Sequence, residues 1–225
     1  MVKLYLIMKL LLTSGGFTNK KITNALLKLL EKPFKESKLV FIPTAANIES
    51  GGKEWLINDL YNCLKLGFAK IEIAEIASTS HNVWLPWIKE ADIIMVGGGN
   101  TSYLMKQLKK SGLDKLLPVL LKKKIYVGIS AGSMVAGKNL SLSSEAFLYN
   151  ENTGQTMNYT SLKFISLCIL PHLNSEWFPR VRTNFLKEFV KKISTTVYAL
   201  DDNSAVLVDE DKISVVSEGK WEKFN

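Results

Sequence analysis

The chain is poor in the residues that most often build disulfide frameworks, metal sites and cationic specificity pockets. Its 225 residues include two cysteines, two histidines and two arginines. Cys63 and Cys168 lie far apart in apolar surroundings, which predicts buried thiols in a reducing compartment and argues against a disulfide or a metal pair. No apolar stretch approaches the ~18 residues of a membrane span. We therefore expect a cytoplasmic protein that uses no metal or other cofactor and has no membrane partner.

The N-terminus has the apolar character of a signal peptide but lacks its other features. Lys9 interrupts the apolar run, and no small-residue cleavage site precedes Thr13. The segment 10–16 is predicted instead to be a buried strand that ends in a glycine turn. Met8 is an alternative start, in which case residues 1–7 form an N-terminal extension.

The net charge of +8 does not by itself predict a nucleic-acid partner. The lysines are spread along the chain in short clusters, at 109–110, 122–124 and 191–192, where helix ends and solvated faces are expected. No basic arm or dense basic block provides the footprint of a nucleic-acid-binding surface. The length fits a single domain over 1–225 with a sizeable core. We expect no nucleic-acid partner and a monomer or homodimer.

Strand-like and helix-like segments alternate along the chain, which predicts an α/β domain with a mostly parallel central sheet and helices on both faces. Continuous apolar runs predict buried strands, and apolar residues three or four apart predict helices. The predicted strands after the first are 38–43, 70–76, 92–96, 125–129, 197–200, 205–208 and 213–216. The predicted helices are 55–66, 101–110 and 178–192. The polar segment 140–160 is predicted to be an excursion on the site side of the sheet.

A serine between two glycines follows the strand 125–129 and precedes small residues that can open a helix. In this stretch, Gly128-Ile129-Ser130-Ala131-Gly132, the glycines permit a tight, strained turn that exposes the Ser130 hydroxyl. The N–H groups at the start of the next helix would lie beside that hydroxyl and stabilise an oxyanion. Ser130 is therefore a candidate nucleophile. The alternative is a glycine-rich loop packed at a strand end.

A second glycine-rich segment, Gly97-Gly98-Gly99-Asn100-Thr101, also lies between a buried strand and a helix. Its glycines permit close backbone approach to a ligand, and the helix start supplies N–H groups. A phosphate-binding loop is the competing interpretation, but the segment lacks the third glycine of G-x-G-x-x-G and the Gly-Lys-Ser/Thr of a P-loop. We predict an oxyanion or substrate-backbone loop, with Asn100 and Thr101 as substrate contacts.

A serine nucleophile needs a base and an acid that orients the base. His172 lies where an apolar run ends, at the strand edge where α/β sites form, whereas His81 lies in a polar segment and is predicted to be an exposed loop residue. Asp201 and Asp202 also follow a predicted strand. Either carboxylate is a candidate partner for the imidazole, although aspartate is equally common in turns.

Taken together, four segments of the chain resemble the peptidase E family, the aspartyl dipeptidases related to cyanophycinases. They are the two glycine-rich motifs, Pro171-His172 and Leu200-Asp201-Asp202-Asn203-Ser204. The resemblance covers nearly the whole chain from Met8. It implies a glutamine-amidotransferase-like three-layer α/β sandwich in which a serine stands where amidotransferases carry a cysteine. It also implies a cytoplasmic serine peptidase that releases N-terminal Asp from dipeptides or short peptides.

The resemblance further implies the role of each residue. Ser130 would be the nucleophile and His172 the base. The implied oxyanion hole consists of the backbone N–H groups of Gly98 or Gly99 and Ala131. The family's acid is commonly a glutamate after a Leu-Pro pair. Asp202 occupies the position of that glutamate and is the predicted acid, with Asp201 as the alternative.

Selectivity for an N-terminal Asp requires a cation. Arg180 and Arg182 are the only arginines, and a planar guanidinium binds a carboxylate through two hydrogen bonds, which lysine cannot do. The family carries an arginine on the segment after its histidine, but at a different spacing. We predict substrate binding by these arginines. The alternative is two surface arginines at the start of the helix 178–192.

Two other functions stay open. An esterase of the α/β-hydrolase type orders its triad Ser, Asp, His, and the only acids between Ser130 and His172 are Glu145 and Glu151. An amidotransferase-like binding domain with an inert serine would have no activity. We predict a metal-independent serine peptidase that acts on short peptides through an acyl-enzyme.

Overall fold

The computed structural model describes residues 8–140, 142–150 and 160–224. The strands in these ranges are β1 (Lys9–Thr13), β2 (Lys38–Ile42), β3 (Lys70–Ile73), β4 (Ile93–Val96), β5 (Ile125–Ile129), β6 (Cys168–Leu170), β7 (Val197–Leu200), β8 (Ser204–Asp209), β9 (Lys212–Ser217) and β10 (Trp221–Phe224). The α-helices are α1 (Lys20–Leu30), α2 (Glu54–Lys65), α3 (His81–Glu90), α4 (Thr101–Ser111), α5 (Leu113–Leu120), α6 (Ala131–Ala136), α7 (Leu142–Tyr149) and α8 (Thr183–Phe189). Short 3₁₀ segments lie at Phe34–Glu36, Thr44–Ile48 and Val190–Lys192. The extension predicted for residues 1–7 lies outside the described residues.

The larger sheet has the strand order β3-β2-β4-β5-β1-β8-β9. Its first five strands are parallel to one another, and β8 and β9 complete it in antiparallel fashion. A smaller sheet has the order β10-β7-β6. The predicted α/β fold with a mostly parallel central sheet is therefore confirmed. The carboxyl ends of β4, β5 and β1 meet at one edge, which is where parallel sheets place their sites.

Two apolar layers cover the faces of the larger sheet, because successive side chains of a strand point to opposite faces. In β1, Leu10 and Leu12 pack in the cluster that includes α3, α4, α5 and α6. Leu11, between them, packs in the cluster that includes α1 and α2. All three leucines are fully buried. The result is the predicted three-layer arrangement of helices, sheet and helices.

The predicted helix 178–192 is wrong at its start. The structure places α8 at Thr183–Phe189, and the preceding residues form a loop in which Val181 N–H donates to the carbonyl oxygen of Phe178. Pro179 lies in this loop, where a proline has no N–H to donate to a helix. The arginines 180 and 182 therefore precede the helix.

Three other segment predictions also need correction. The strand predicted for 70–76 ends at Ile73, because the Glu75 carboxylate accepts a hydrogen bond from Ala77 N–H and closes a turn. His81 is exposed as predicted, but it is the first residue of α3 and not a loop residue. The excursion predicted for 140–160 contains α7, and residues 151–159 lie outside the described residues.

The two cysteines are buried free thiols, as predicted. Burial raises the pKa of Cys63 to about 12 and that of Cys168 to about 11, which makes both poor nucleophiles at neutral pH. In the described part of the chain, none of the helices combines the length and apolar character that a membrane span requires.

Candidate active site

Ser130 lies in a strained turn between β5 and α6. Its φ of 48° and ψ of −110° place it in a backbone region that residues with a side chain rarely adopt. The flanking residues must be glycines, because a side chain at either position would collide with neighbouring backbone atoms. A Cβ on Gly128 would lie 2.6 Å from the Ser133 nitrogen, and a Cβ on Gly132 would overlap the Val96 carbonyl oxygen. The turn is therefore the elbow that the sequence motif predicts.

Thr13, at the end of β1, holds this elbow through both its backbone and its side chain. Its carbonyl oxygen accepts hydrogen bonds from Ser130 N–H at 3.1 Å and from the Ser133 hydroxyl at 2.7 Å. Its hydroxyl donates to the Gly128 carbonyl oxygen at 2.8 Å and accepts from Gly16 N–H at 3.0 Å. Thr13 is fully buried, so these bonds do not compete with water. Sequence reasoning gave this threonine no role.

The structure brings together the three residues predicted as nucleophile, base and acid. The Nε2 atom of His172 lies 2.8 Å from the Ser130 hydroxyl oxygen, and its Nδ1 atom lies 2.6 Å from an oxygen of Asp202. A carboxylate accepts only, so Nδ1 is the nitrogen that carries the proton in the neutral ring. Nε2 is then the acceptor for the serine proton.

Asp202 is held in its ionised form by its hydrogen bonds. Burial raises the pKa of its carboxyl, but the hydrogen bond and positive charge of His172 and the hydrogen bond from Ser14 lower it, and the net result is a pKa below the usual range. An ionised carboxylate at this place accepts the Nδ1–H of His172 and so directs Nε2 toward Ser130. The geometry is that of a base prepared to accept a proton.

The alternative acids have other partners. The Asp201 carboxylate accepts hydrogen bonds from Asn203 N–H, the Ser204 hydroxyl and Lys220 N–H, so it serves as a turn aspartate. The Glu145 carboxylate accepts from the N–H of residue 140. Glu151 lies outside the described residues. Among the described carboxylates, Asp202 is the one that bonds to His172 Nδ1.

Ser14 ties the acid and the base to the end of β1. Its hydroxyl donates to the Asp202 carboxylate at 2.8 Å and accepts from His172 N–H at 2.8 Å. The next residue, Gly15, packs so closely that a Cβ would lie 2.8 Å from the Asp202 carbonyl oxygen. Sequence reasoning missed Ser14, although a Ser-Gly-Gly run at the end of a buried strand marked the position.

Phe178 covers the imidazole from the side. Its ring is stacked on the His172 ring, with centroids 4.7 Å apart and planes 22° apart. The Arg182 guanidinium fixes the loop that carries this phenylalanine, since it donates to the carbonyl oxygens of Ser175, Phe178 and Val181. Arg182 thus has a structural role here, and its predicted contact with substrate stays a prediction.

Arg180 is exposed and lies next to α7. Its guanidinium donates to the Phe147 carbonyl oxygen at 2.7 Å and lies 4.3 Å from the centre of the Phe147 ring. A guanidinium has five N–H donors, so this contact still permits a bidentate grip on a carboxylate. The predicted role of Arg180 in substrate binding is not contradicted by these contacts, and it stays a prediction.

The second glycine-rich segment lies against the nucleophile. A Cβ on Gly98 would be 3.3 Å from the Ser130 Cβ, and Gly99 has a φ of 123°, which glycine adopts readily. The N–H groups of Gly98, Gly99 and Ala131 donate to none of the other described residues. They are thus free to bind an oxyanion, and the oxyanion hole implied by the family resemblance stays a prediction.

Asn100 and Thr101 begin α4. The Asn100 side chain accepts from Tyr103 N–H at 2.9 Å and caps the helix, while its own N–H donates to the Ala45 carbonyl oxygen. Thr101 is fully buried, with its hydroxyl 3.7 Å from the Met134 sulfur. These contacts shape the loop, and the predicted contacts of both residues with substrate stay predictions.

Asp59, on α2, is a buried carboxyl close to this group. Its side chain makes no hydrogen bond or ion pair with another described residue, and burial together with the charge of Asp202 raises its pKa to about 7. Sequence reasoning missed it. Within the described ranges, no cluster of three histidine, cysteine, aspartate or glutamate residues is placed to hold a metal ion.

The sequence matches a peptidase family model and several peptidases. A sequence model of peptidase family S51 matches residues 10–216. The uncharacterized peptidase Lin0382 of Listeria innocua is 29% identical over 198 residues, which cover 84% of this chain and 90% of that protein. Peptidase E of Shewanella baltica is 27% identical over 188 residues, which cover 80% and 74% of the two chains.

A similar fold is found among solved structures. A candidate peptidase E from Listeria monocytogenes superposes with a TM-score of 0.78 at 23% identity, covering 94% of this chain and 99% of that one. A peptidase from an acI-B1 Actinobacterium superposes with a TM-score of 0.66 at 18% identity, covering 96% and 90%. At these identities the superpositions establish the shared fold.

The two hydrogen bonds of Ser14 predict a positioning role that can be measured. Ser14→Ala is expected to lower kcat for p-nitrophenyl acetate by about tenfold, ~1.4 kcal/mol, because the Asp202 carboxylate and the His172 backbone lose a common anchor. Thr18→Ala is the matched control, since the Thr18 hydroxyl donates to the Asp202 carbonyl oxygen and not to the carboxylate. Equal rates for Ser14→Ala and the wild type would contradict the role.

The raised pKa of Asp59 predicts that this carboxyl makes folding less favourable as the pH rises. The folded state keeps the proton up to about pH 7, whereas the unfolded chain loses it near the ordinary aspartate pKa of 3.8. Stability therefore falls between these pH values, by up to ~4 kcal/mol. Asp59→Asn should remove this loss, so its advantage over the wild type in urea unfolding grows from pH 4 to pH 8.

Asp92→Asn is the control of opposite sign. The net effect of burial and of the hydrogen bonds from Lys32 and Lys38 is a lowered Asp92 pKa, so this carboxylate contributes stability that is lost as the pH falls. The free energy of unfolding of Asp92→Asn should therefore fall furthest below that of the wild type at pH 8. An Asp59→Asn variant whose relative stability does not change with pH would refute the assignment.

Proposed function

The chain belongs to peptidase family S51, and on that premise we propose that it is a serine peptidase that hydrolyses dipeptides or other short peptides through an acyl-enzyme. The observation that carries the proposal is the series of short hydrogen bonds from Ser130 through His172 to Asp202. A serine hydroxyl becomes a strong nucleophile when an adjacent base accepts its proton and a third group orients the base.

The proposed reaction has two halves. Ser130 Oγ attacks the peptide carbonyl carbon while His172 Nε2 takes its proton. The resulting imidazolium, stabilised by the Asp202 carboxylate, then gives this proton to the leaving amine, and the acyl group stays on the serine. A water molecule attacks the ester in the second half while His172 Nε2 takes its proton. The imidazolium then gives this proton to Ser130 Oγ as the bond to the acyl carbon breaks and the acid is released.

The N–H groups beside Ser130 support the step in which negative charge develops. The Ala131 N–H belongs to the start of α6, and the Gly98 and Gly99 N–H groups belong to the loop packed on Ser130. Preorganised backbone donors that bind the developing oxyanion typically contribute ~3–4 kcal/mol each to catalysis. The donor set thus favours acyl transfer over an inert binding domain.

The order of the residues favours a peptidase of this family over the esterase alternative. The carboxylate that bonds to His172 follows it in the chain, which gives the order Ser, His, Asp. Esterases of the α/β-hydrolase type have the order Ser, Asp, His. A kcat/KM for dipeptides above that for p-nitrophenyl esters would identify a peptidase, and the reverse order would identify an esterase.

The preference for an N-terminal Asp is a further part of the proposal. It follows from the resemblance to aspartyl dipeptidases, and Arg180 is the better candidate to recognise the acidic side chain. Arg182 is committed to three carbonyl oxygens of its own loop, whereas Arg180 is exposed and bonded to one.

The nucleophile and base can be tested with matched histidine variants. Ser130→Ala and His172→Ala should each lower kcat for a hydrolysed dipeptide by a factor on the order of 10³ or more, because the triad acts as a unit. His81→Ala should stay close to the wild type, since His81 is exposed on α3. Activity within tenfold of the wild type in Ser130→Ala would rule out the mechanism.

The acidic preference can be tested at Arg180. Arg180→Met should raise KM for Asp-Xaa dipeptides roughly ten- to hundredfold and leave KM for Leu-Xaa dipeptides unchanged, since a hydrogen bond to a charged group contributes ~1.5–3 kcal/mol. Arg182→Met should lower kcat for both, because the loop that carries Phe178 loses its anchor. A wild-type enzyme that hydrolyses Leu-Xaa as well as Asp-Xaa would show that Arg180 has another role.

A further inference from the structure

Asp59 is a buried acid without a partner. It is 7% exposed, and the influences on its pKa are burial and the negative charge of Asp202, with no hydrogen bond or cation among the described residues to offset them. An unpaired carboxylate in such surroundings is costly, since burial removes most of its hydration and no hydrogen bond from the described residues replaces it. A group of this kind in a peptidase fold calls for a cationic ligand.

The Asp59 carboxylate lies below the turn that supports the triad. Its Oδ1 atom is 3.1 Å from the position of a Cβ on Gly16, and the same position is 3.3 Å from the Ile129 side chain. Ile129 directly precedes the nucleophile, and Gly16 lies two residues after Ser14. Asp59 therefore lies on α2 against the turn that follows β1, and the Ile129 side chain packs on the same glycine.

Trp55, one helical turn before Asp59 on α2, lies against the second glycine-rich segment. Trp55 Cζ3 is 3.8 Å from the position of a Cβ on Gly98, which is itself 3.3 Å from the Ser130 Cβ. Residues four apart lie on one face of a helix, separated by ~6 Å along its axis. The face of α2 that carries Trp55 and Asp59 thus places an aromatic ring beside Gly98 and a carboxylate one turn further along the helix.

We infer that Asp59 binds the protonated α-amino group of the peptide whose first carbonyl Ser130 attacks. The inference rests on the proposed function. In an N-terminal residue the α-nitrogen is two bonds, ~2.5 Å, from the carbonyl carbon, so the group that binds it must lie close to the nucleophile. An ammonium supplies both the positive charge and the hydrogen-bond donors that the carboxylate lacks.

This arrangement explains how a free N-terminus would be selected. A peptide that lacks the amine leaves the buried carboxylate unpaired in the complex, and a site that pays this penalty rejects the analogue strongly. A charged hydrogen bond of ~1.5–3 kcal/mol corresponds to a preference of roughly ten- to hundredfold. Asp59 is therefore a specificity-determining residue, and Ser130, His172 and Asp202 remain the reacting groups.

The test compares a dipeptide with its desamino analogue, in which hydrogen replaces the α-amino group. The wild type should show a kcat/KM at least tenfold higher for the free amine. Asp59→Asn should remove this preference by lowering kcat/KM for the free amine and not for the desamino analogue. Glu54→Gln is the matched control, because it removes an exposed carboxylate from the same helix and should keep the preference.

A binding measurement makes the test independent of turnover. In calorimetry, Ser130→Ala should bind the dipeptide at least tenfold more tightly than the desamino analogue, and the double variant Ser130→Ala/Asp59→Asn should bind both equally. Equal losses for both ligands, or a preference that survives Asp59→Asn, would overturn the inference while leaving the serine mechanism intact. If the wild-type protein hydrolyses neither peptide nor ester, the proposed function is rejected. If Ser130→Ala also binds the dipeptide and its desamino analogue equally, the role of Asp59 is rejected as well.

Discussion

The site depends on the way the end of β1 holds the chain after β5. The Thr13 carbonyl oxygen accepts the N–H of Ser130, and its hydroxyl binds Gly128 and Gly16, so the strained turn is fixed from the neighbouring strand. The next residue, Ser14, bonds to both Asp202 and His172. One strand end therefore sets the nucleophile, the base and the acid at hydrogen-bond distance from one another, and the strain at Ser130 is borne by fully buried bonds.

Two aspartates near this strand end show how surroundings decide the state of a carboxyl. Asp202 has hydrogen bonds from His172 and Ser14, and its pKa is lowered although it is partly buried. Asp59 has burial and a nearby negative charge with no compensating donor, and its pKa is raised to about 7. The first carboxylate is complete within the protein and serves the imidazole. The second has no such donor, and a cationic ligand would offset its charge, which is why we assign it to the substrate and not to the triad.

Much of the fold and of the triad geometry could be predicted from the sequence because strand ends carry the information. Ser130, His172 and Asp202 each follow an apolar strand, and the carboxyl ends of the strands converge. The roles of Ser14 and Asp59 could not be predicted, since they depend on β1 lying beside β5 and on the rotation of α2, which no local pattern specifies. The predicted helix start at 178 was wrong because apolar periodicity alone suggested it. Pro179 has no N–H for a helix, and Arg182 binds the carbonyl oxygens of the preceding residues, so these residues form a loop.

The central claim is that the elbow serine is a nucleophile activated by its neighbours. The most direct measurement is the site of covalent attachment of a fluorophosphonate, read by mass spectrometry of the digested protein. We predict one adduct per chain, located on Ser130, and a strongly reduced labelling rate in His172→Ala. Absence of an adduct, or attachment to another residue with Ser130 unmodified, would contradict the account and favour a domain whose serine is inert.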